Sequence, residues 1–285
     1  MANSKINLDT YAENTWCPGC FNFVIERTVK EAIIELIKKG YKKENFVLVS
    51  GIGCHAKIVD YINLNSFYSI HGRVLPVAEG IKIANPNLIV IGFGGDGDTY
   101  AEGLSHLIFA AKRNFDITLL VHNNRTFALT TGQYTPTSPK GFVGGSSPKG
   151  TKEEPFNPIE LMLASGATFV ARAYAGDPIH LKKIIISAIK HKGFSFIDVL
   201  QPCVTFFNTS KFYRERVYKL EDIHHDKKNY QLALKRAREW DYSSENQDIP
   251  VGIFYQTKRK TFEEIVDPPK RRNSKAISKI LKTSI

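Results

Sequence analysis

Two short apolar runs each end in a cluster of glycines and small polar residues, and this pairing constrains the fold more than any other feature. Leu88-Ile-Val-Ile-Gly92 leads into Gly94-Gly-Asp-Gly-Asp98, and Ile117-Thr-Leu-Leu-Val121 leads into His122-Asn-Asn124. Both runs read as buried parallel strands, and the stretch between them, about 102–113, reads as a helix. One βαβ crossover then sets Asp96 and Asn124 side by side at the carboxyl edge of a sheet, where open α/β folds bind ligands. Hard oxygen donors beside glycines suit a Mg²⁺ that carries a diphosphate. Either motif alone reads as a turn or a helix cap. Their recurrence at two successive strand ends favours a site.

Four cysteines supply a second signal. Cys17 and Cys20 form Trp16-Cys-Pro-Gly-Cys20, Cys54 ends Gly51-Ile-Gly-Cys54 just past the run Phe46–Val49, and Cys203 follows the strand-like stretch Phe194–Leu200. The N-terminus is polar and lacks a signal peptide, and no apolar run is long enough to cross a bilayer. A cytoplasmic protein without disulfides is the expectation. A CxxC with two distant cysteines holds either Zn²⁺ or a [4Fe–4S] cluster, and spacing alone does not choose.

In this order, CxxC, GIGC, Gly-Asp-Gly-Asp and Asn-Asn resemble the β subunit of a 2-oxoacid:ferredoxin oxidoreductase. Three further stretches resemble the same family: His71-Gly-Arg-Val-Leu-Pro-Val-Ala-Glu-Gly80, Asn124-Arg-Thr-Phe-Ala-Leu-Thr-Thr-Gly-Gln133 and Ile249-Pro-Val-Gly-Ile-Phe-Tyr255. The likeness spans roughly residues 11–267. It implies thiamine diphosphate, Mg²⁺ and a [4Fe–4S] cluster as cofactors. By the resemblance, Cys17, Cys20, Cys54 and Cys203 ligate the cluster, and Asp96, Asn124 and the carbonyl of Thr126 hold Mg²⁺. Gly97 and Asp98 line the diphosphate, while Ile52, Gly53, Cys54, His55, His71, Ala128 and Leu129 surround the cofactor. The loop 52–55 would thus touch the thiamine and supply a cluster ligand. Two positions depart from the family's usual residues: His55, where a small residue is common, and Thr131, where a lysine is. Lys57, just after the GIGC loop, is the candidate for gripping a distal substrate carboxylate; its plainer reading is a solvated lysine.

The resemblance implies CoA-dependent oxidative decarboxylation of a 2-oxoacid, with electrons passed through the cluster to ferredoxin. Pyruvate, 2-oxoglutarate and branched-chain or aryl 2-oxoacids all fit, and Lys57 leans toward a range that includes 2-oxoglutarate. Zinc has no redox role, so it could not accept those electrons. No residue is assigned as the catalytic acid, because thiamine enzymes take that carboxylate from a second domain of similar size. Only one such unit fits in this chain, so an α subunit is expected to supply the glutamate in a heterodimer. Two other readings are a non-oxidative thiamine diphosphate enzyme (decarboxylase or synthase) with structural Zn²⁺, and a non-catalytic iron–sulfur electron-transfer subunit.

At 285 residues and 42% hydrophobic, the chain reads as one large α/β domain, with strands and helices alternating to about residue 205. The expected fold is a doubly wound, mostly parallel sheet of the thiamine diphosphate-binding type with a C-terminal extension. The expected division is 1–205 for the cofactor domain, 206–267 for the extension and 268–285 for a basic tail. Helices are expected over about 22–39, stopped by Gly40; from Asn157-Pro-Ile-Glu160, with a capping box, to Gly166; and from Asp177-Pro178 to about 191. The stretch 132–155 is rich in Gly, Pro, Ser and Thr and follows the cofactor loop, which suggests a lid or an interface with another subunit. The net charge of +11 is weighted toward the C-terminus. No nucleic-acid module accompanies it, so a solvated tail, or one docking on a partner subunit or an acidic ferredoxin, is expected.

Overall fold

The computed structural model describes residues 6–244 and 246–266; the basic tail expected over 268–285 lies outside the described residues. Eight strands form one sheet: β1 (Phe46–Ser50), β2 (Asn65–Tyr68), β3 (Ile89–Gly95), β4 (Ile117–Asn123), β5 (Phe169–Tyr174), β6 (Ser195–Leu200), β7 (Val217–Lys219) and β8 (Ile249–Gln256). The helices are α1 (Asn22–Lys38), α2 (Ile58–Tyr61), α3 (Val74–Ala84), α4 (Leu104–Arg113), α5 (Pro158–Ala164), α6 (Pro178–Lys190), α7 (Ser210–Arg216), α8 (Tyr230–Ala237) and α9 (Phe262–Val266). The strand order is β2-β1-β3-β4-β6-β5-β8-β7. The first six strands are parallel, β8 joins β5 antiparallel, and β7 pairs parallel with β8.

Alternation along each central strand divides the core in two. Ile91, Phe93, Leu120, Ile197 and Val199 face α1 and α6, where Ile25, Val29, Leu36, Leu181 and Ile185 are buried. Val90, Leu119, Val121 and Phe196 face the other side, against Leu75, Ala78, Leu107, Ala111, Met162 and Ala233 of α3, α4, α5 and α8. Helices therefore cover both faces of a mostly parallel sheet, the doubly wound arrangement expected from the sequence. Among the described residues, no helix is long and apolar enough to cross a membrane.

Local chemistry accounts for the helix ends. The Asn157 side chain accepts from the backbone N–H groups of Ile159 and Glu160, and Asp177 accepts from that of His180, each with Pro at the first helical position. The expected capping box at Asn157 is half formed, because the Glu160 carboxylate turns outward to pair with Arg238. The helix expected from about 102 starts at Leu104, and Gly97–Glu102 forms a separate π-helical turn. Such turns frequently mark functional sites. Strands β2 and β5 carry no apolar run that singles them out in sequence. β2 is an exposed edge strand, and β5 buries a cation, Arg172, in its middle.

Candidate cofactor site

In the strand order, β1, β3 and β4 are neighbours, so the loops leaving their carboxyl ends (51–55, 94–98 and 122–126) lie side by side. They enclose a narrow cleft of about 70 Å³. Ile52, Gly53, Cys54, His55, His71, Asp96, Gly97, Asp98, Asn124, Thr126, Ala128 and Leu129 all line it, together with His122 and Phe127. Thr131 does not; it sits at φ 73° in an exposed turn behind the wall.

Asp96 is buried at the cleft floor, where its Oδ2 accepts from Thr135 Oγ1 at 2.6 Å and faces Thr137 Oγ1 at 3.1 Å. Burial pushes its carboxyl up to about 6, against the pull of these two hydroxyls. Arg125 adopts φ 59°, which folds the chain so that Asn124 Oδ1 accepts from the Thr126 N–H at 3.1 Å. Such a conformation is uncommon for a long side chain. It is held by Arg125 Nε donating to the Thr137 carbonyl at 2.7 Å and by Ser138 Oγ donating to the Arg125 carbonyl at 2.6 Å.

Asp98 forms the opposite wall. Its Oδ1 accepts from the Gly72 N–H at 2.7 Å and lies 3.2 Å from His71 Nδ1, and its Oδ2 lies 3.5 Å from His55 Nε2. Burial alone would raise this carboxyl, but the two imidazoles and the Gly72 amide outweigh it and hold it well below the usual range. At 3.5 Å the His55 contact is electrostatic rather than a well-formed hydrogen bond. His71 is raised by Asp98 in return. The glycines are sterically required. A Cβ on Gly51 would lie 2.0 Å from Asp98 Oδ2, and one on Gly97 would lie 2.2 Å from the Phe127 ring.

Of the buried polar atoms here, His122 Nε2 lacks a hydrogen-bond partner, and His55 Nε2 and Asp98 Oδ2 face each other at 3.5 Å without a well-formed bond. Buried polar groups without partners are costly and uncommon, so unmet hydrogen bonds concentrated in one cleft mark a place built for a polar ligand. His122 Nδ1 faces Asn22 Oδ1 at 2.8 Å, and burial keeps the ring neutral. With the proton on Nδ1, Nε2 offers a lone pair. A carboxylate, an amide oxygen and a carbonyl beside unmet polar atoms fit a Mg²⁺-borne diphosphate.

The cysteines approach the same edge from three directions. Trp16 Nε1 donates to the Cys54 carbonyl at 2.6 Å, tying the CxxC turn to the loop after β1. Gln201 Nε2 reaches Cys20 Sγ at 3.8 Å, tying that turn to the segment after β6 that carries Cys203. All four thiols are free. Burial, then repulsion from Cys20, Cys203 and Cys17, raises the Cys54 thiol to about 11, while Lys57 pulls it down. The thiols therefore sense one another's charge. Among the described residues, no three His, Cys, Asp or Glu side chains are gathered tightly enough to share a single ion. Lys57 does not line the cleft: its ammonium donates to Thr15 Oγ1 at 3.0 Å, on the cysteine side.

Sequence reading missed the support behind Asp96. Asn123 Oδ1 faces Thr137 Oγ1 at 2.9 Å, and its amide donates to Asp198 Oδ1 at 3.0 Å. Asp198 also accepts from Tyr100 at 2.8 Å and Tyr242 at 2.5 Å, and it lies 3.8 Å from the buried Arg172. The one signal in the sequence was charge, Arg172 and Asp198, inside otherwise apolar strands.

Comparison with known proteins gives the family. The family model described as thiamine pyrophosphate enzyme, C-terminal TPP binding domain, matches residues 51–199. The model for the C-terminal part of the pyruvate ferredoxin oxidoreductase beta subunit matches residues 203–271. A 2-oxoacid:ferredoxin oxidoreductase subunit beta of Saccharolobus solfataricus is 47% identical over 257 residues, covering 85% of this chain and 82% of that protein. Subunit beta of 2-oxoacid:ferredoxin oxidoreductase 1 of Aeropyrum pernix is 44% identical over 262 residues, covering 87% and 80%. A solved 2-oxoglutarate:ferredoxin oxidoreductase from Magnetococcus marinus, with 2-oxoglutarate, coenzyme A and succinyl-CoA bound, superposes with a TM-score of 0.85 at 34% identity, covering 91% and 87%. With relatives this similar over most of their length, the chain belongs to the β-subunit family of the 2-oxoacid:ferredoxin oxidoreductases.

Proposed function

We propose that this chain is the β subunit of a CoA-acylating 2-oxoacid:ferredoxin oxidoreductase, holding thiamine diphosphate through Mg²⁺ beside a [4Fe–4S] cluster. One observation carries the reading. Cys54 lines the cleft containing Asp96 and Asn124, and its carbonyl is bonded by Trp16 Nε1, the residue next to Cys17. Asp96, Asn124 and the Thr126 carbonyl would hold Mg²⁺, with Gly97 and Asp98 beside the diphosphate. Ile52, Gly53, Cys54, His55, His71, Ala128 and Leu129 would surround the rest of the cofactor. Cys17, Cys20, Cys54 and Cys203 would hold the cluster. Iron would hold Cys20 and Cys54 as thiolates, where burial otherwise favours the protonated thiol.

When bound, thiamine diphosphate supplies the nucleophilic carbon for decarboxylation, and the cluster takes up electrons singly. The chain's own part is to orient and enclose. Thr135 and Thr137 fix the Asp96 carboxylate, the His55–Asp98–His71 cluster sets the charge of the opposite wall, and Phe127 closes the cleft over Gly97. Among the described residues there is no second α/β unit to offer a carboxylate to the cofactor's far ring. An α subunit would supply it, together with part of the coenzyme A site. Ferredoxin would be the electron acceptor, and the four free thiols suit a reducing cytoplasm.

The test is anaerobic co-expression with the partner α subunit, followed by an assay of CoA-dependent ferredoxin reduction across pyruvate, 2-oxoglutarate and branched-chain 2-oxoacids. Activity is expected from the complex and none from this chain alone. A complex that binds thiamine diphosphate but contains zinc in place of iron and acid-labile sulfide would refute the redox part.

A further inference from the structure

At the sheet edge opposite the cofactor cleft lies a second, larger and more open concavity of about 1060 Å³. It sits at the amino ends of β5 and β6, where Phe169 pairs with Ser195 and with Gln256 at the end of β8. Six strand residues at about 3.3 Å each put it roughly 20 Å from the cysteines. Its walls come from three separate segments: Lys190 at the end of α6 with Lys192 just beyond it, Lys227 and Lys228 before α8, and Lys258 and Lys260 after β8. All six are exposed.

Among the described residues, only Lys192 of the six has a carboxylate partner, Asp116 at 2.7 Å, and Asp116 is already shared with Lys82. Two nearby acids keep their charge but are turned onto backbone groups rather than onto these lysines. Glu264 accepts from the Thr261 N–H at 2.9 Å, and Asp226 from the Lys228 N–H at 3.0 Å. The chain that follows cannot neutralise the groove by charge. Residues 267–285 carry six Lys or Arg and one Asp.

We infer that this groove is a binding site for a small, highly phosphorylated anion. Lysines are point charges on flexible stems, suited to phosphate clusters of varied geometry. The lining contains no Phe, Tyr, Trp or aliphatic side chain. Single-stranded nucleic acid would want aromatic stacking platforms, and an acidic protein segment would want apolar anchors. Neither is present, and the planar groups in the lining, His191 and Arg259, are tied to Thr168 and to the Ala111 and Lys112 carbonyls. Phosphate charge is the recognised feature.

The test uses the assembled complex loaded with thiamine diphosphate, Mg²⁺ and coenzyme A, so that the opposite edge is filled. Calorimetry at about 0.1 M salt, where screening is substantial, compares inorganic tripolyphosphate, ATP, a single-stranded oligonucleotide and a glutamate-rich peptide. Saturable binding of tripolyphosphate is expected, with ATP within about threefold. The double variant Lys227→Glu/Lys228→Glu should weaken both at least tenfold while 2-oxoacid-dependent activity persists, and Lys42→Glu/Lys211→Glu should change neither. The inference is overturned by the absence of saturable binding, by equal losses in the two double variants, or by ATP binding tenfold tighter than tripolyphosphate. Tighter binding of the oligonucleotide or the peptide would also overturn it.

Discussion

Thr135 donates a 2.6 Å hydrogen bond to Asp96, a residue 39 positions earlier in the chain. The Gly, Pro, Ser and Thr-rich stretch after the cofactor loop is therefore bound to the site floor. Its hydroxyls set the direction in which the Asp96 carboxylate points. Partners behind a metal ligand commonly contribute about 10–100-fold in affinity.

Thr135→Val and Thr137→Val should each weaken Mg²⁺-dependent thiamine diphosphate binding by roughly tenfold or more. The volume change is small, but each variant leaves the buried Asp96 carboxylate one hydrogen bond short, so a stability loss of about 1–3 kcal/mol is expected. Fluorescence titration of the cofactor at fixed Mg²⁺ measures the first effect and a melting curve the second. Unchanged affinity in both variants would show that the hydroxyls do not orient Asp96.

Gly51→Ala places a methyl group 2.0 Å from Asp98 Oδ2. Strand β1 cannot yield without disturbing its neighbours on both sides, so Asp98 must move and break its bond to Gly72. A loss of about 1–3 kcal/mol in unfolding free energy is expected, with cofactor affinity falling further. Urea denaturation of wild type and variant provides the comparison.

Asp198 accepts from Tyr100, Asn123 and Tyr242 and faces the buried Arg172. Asp198→Ala leaves that guanidinium without its counter-charge and should cost about 3–5 kcal/mol. Combining it with Arg172→Met should recover part of the loss, because the uncompensated charge is then gone. A double variant no more stable than Asp198→Ala alone would refute the coupling.

His191 is driven down to about 4, chiefly by burial, although Asp116 pulls upward. Its Nε2 lies 2.8 Å from Thr168 Oγ1, a contact that serves the neutral ring. The unfolded chain takes up this proton near pH 6.5 and the folded chain only near about pH 4. Stability is therefore full above about pH 6.5 and falls between there and about 4, by on the order of 2 kcal/mol from this group. His191→Gln should flatten the acid limb of a stability–pH curve by about that amount.

Cys203→Ala should yield protein that has lost its iron yet still binds thiamine diphosphate with Mg²⁺. Cys54→Ala should lose iron and also disturb cofactor binding, since Cys54 lines the cleft. Iron and sulfide analysis of anaerobic preparations, set beside cofactor titration, separates the two.

The sequence determined the features that depend on nearest neighbours and on the period of apolar residues. Val90, Leu119, Leu120 and Ile197 had to be strand core, and Ile25, Val29 and Leu36 had to be a helix face. Asp96 and Asn124 had to lie at one edge, because a crossover between parallel strands permits little else. Tertiary structure decided what depends on distant segments meeting. Thr135 behind Asp96, Asp198 opposite Arg172, the antiparallel β8 beside β5 and Lys57 turned toward Thr15 rather than the cleft are of this kind. Local propensity carries no information about such contacts, since each needs two stretches of chain whose separation in sequence says nothing of their separation in space.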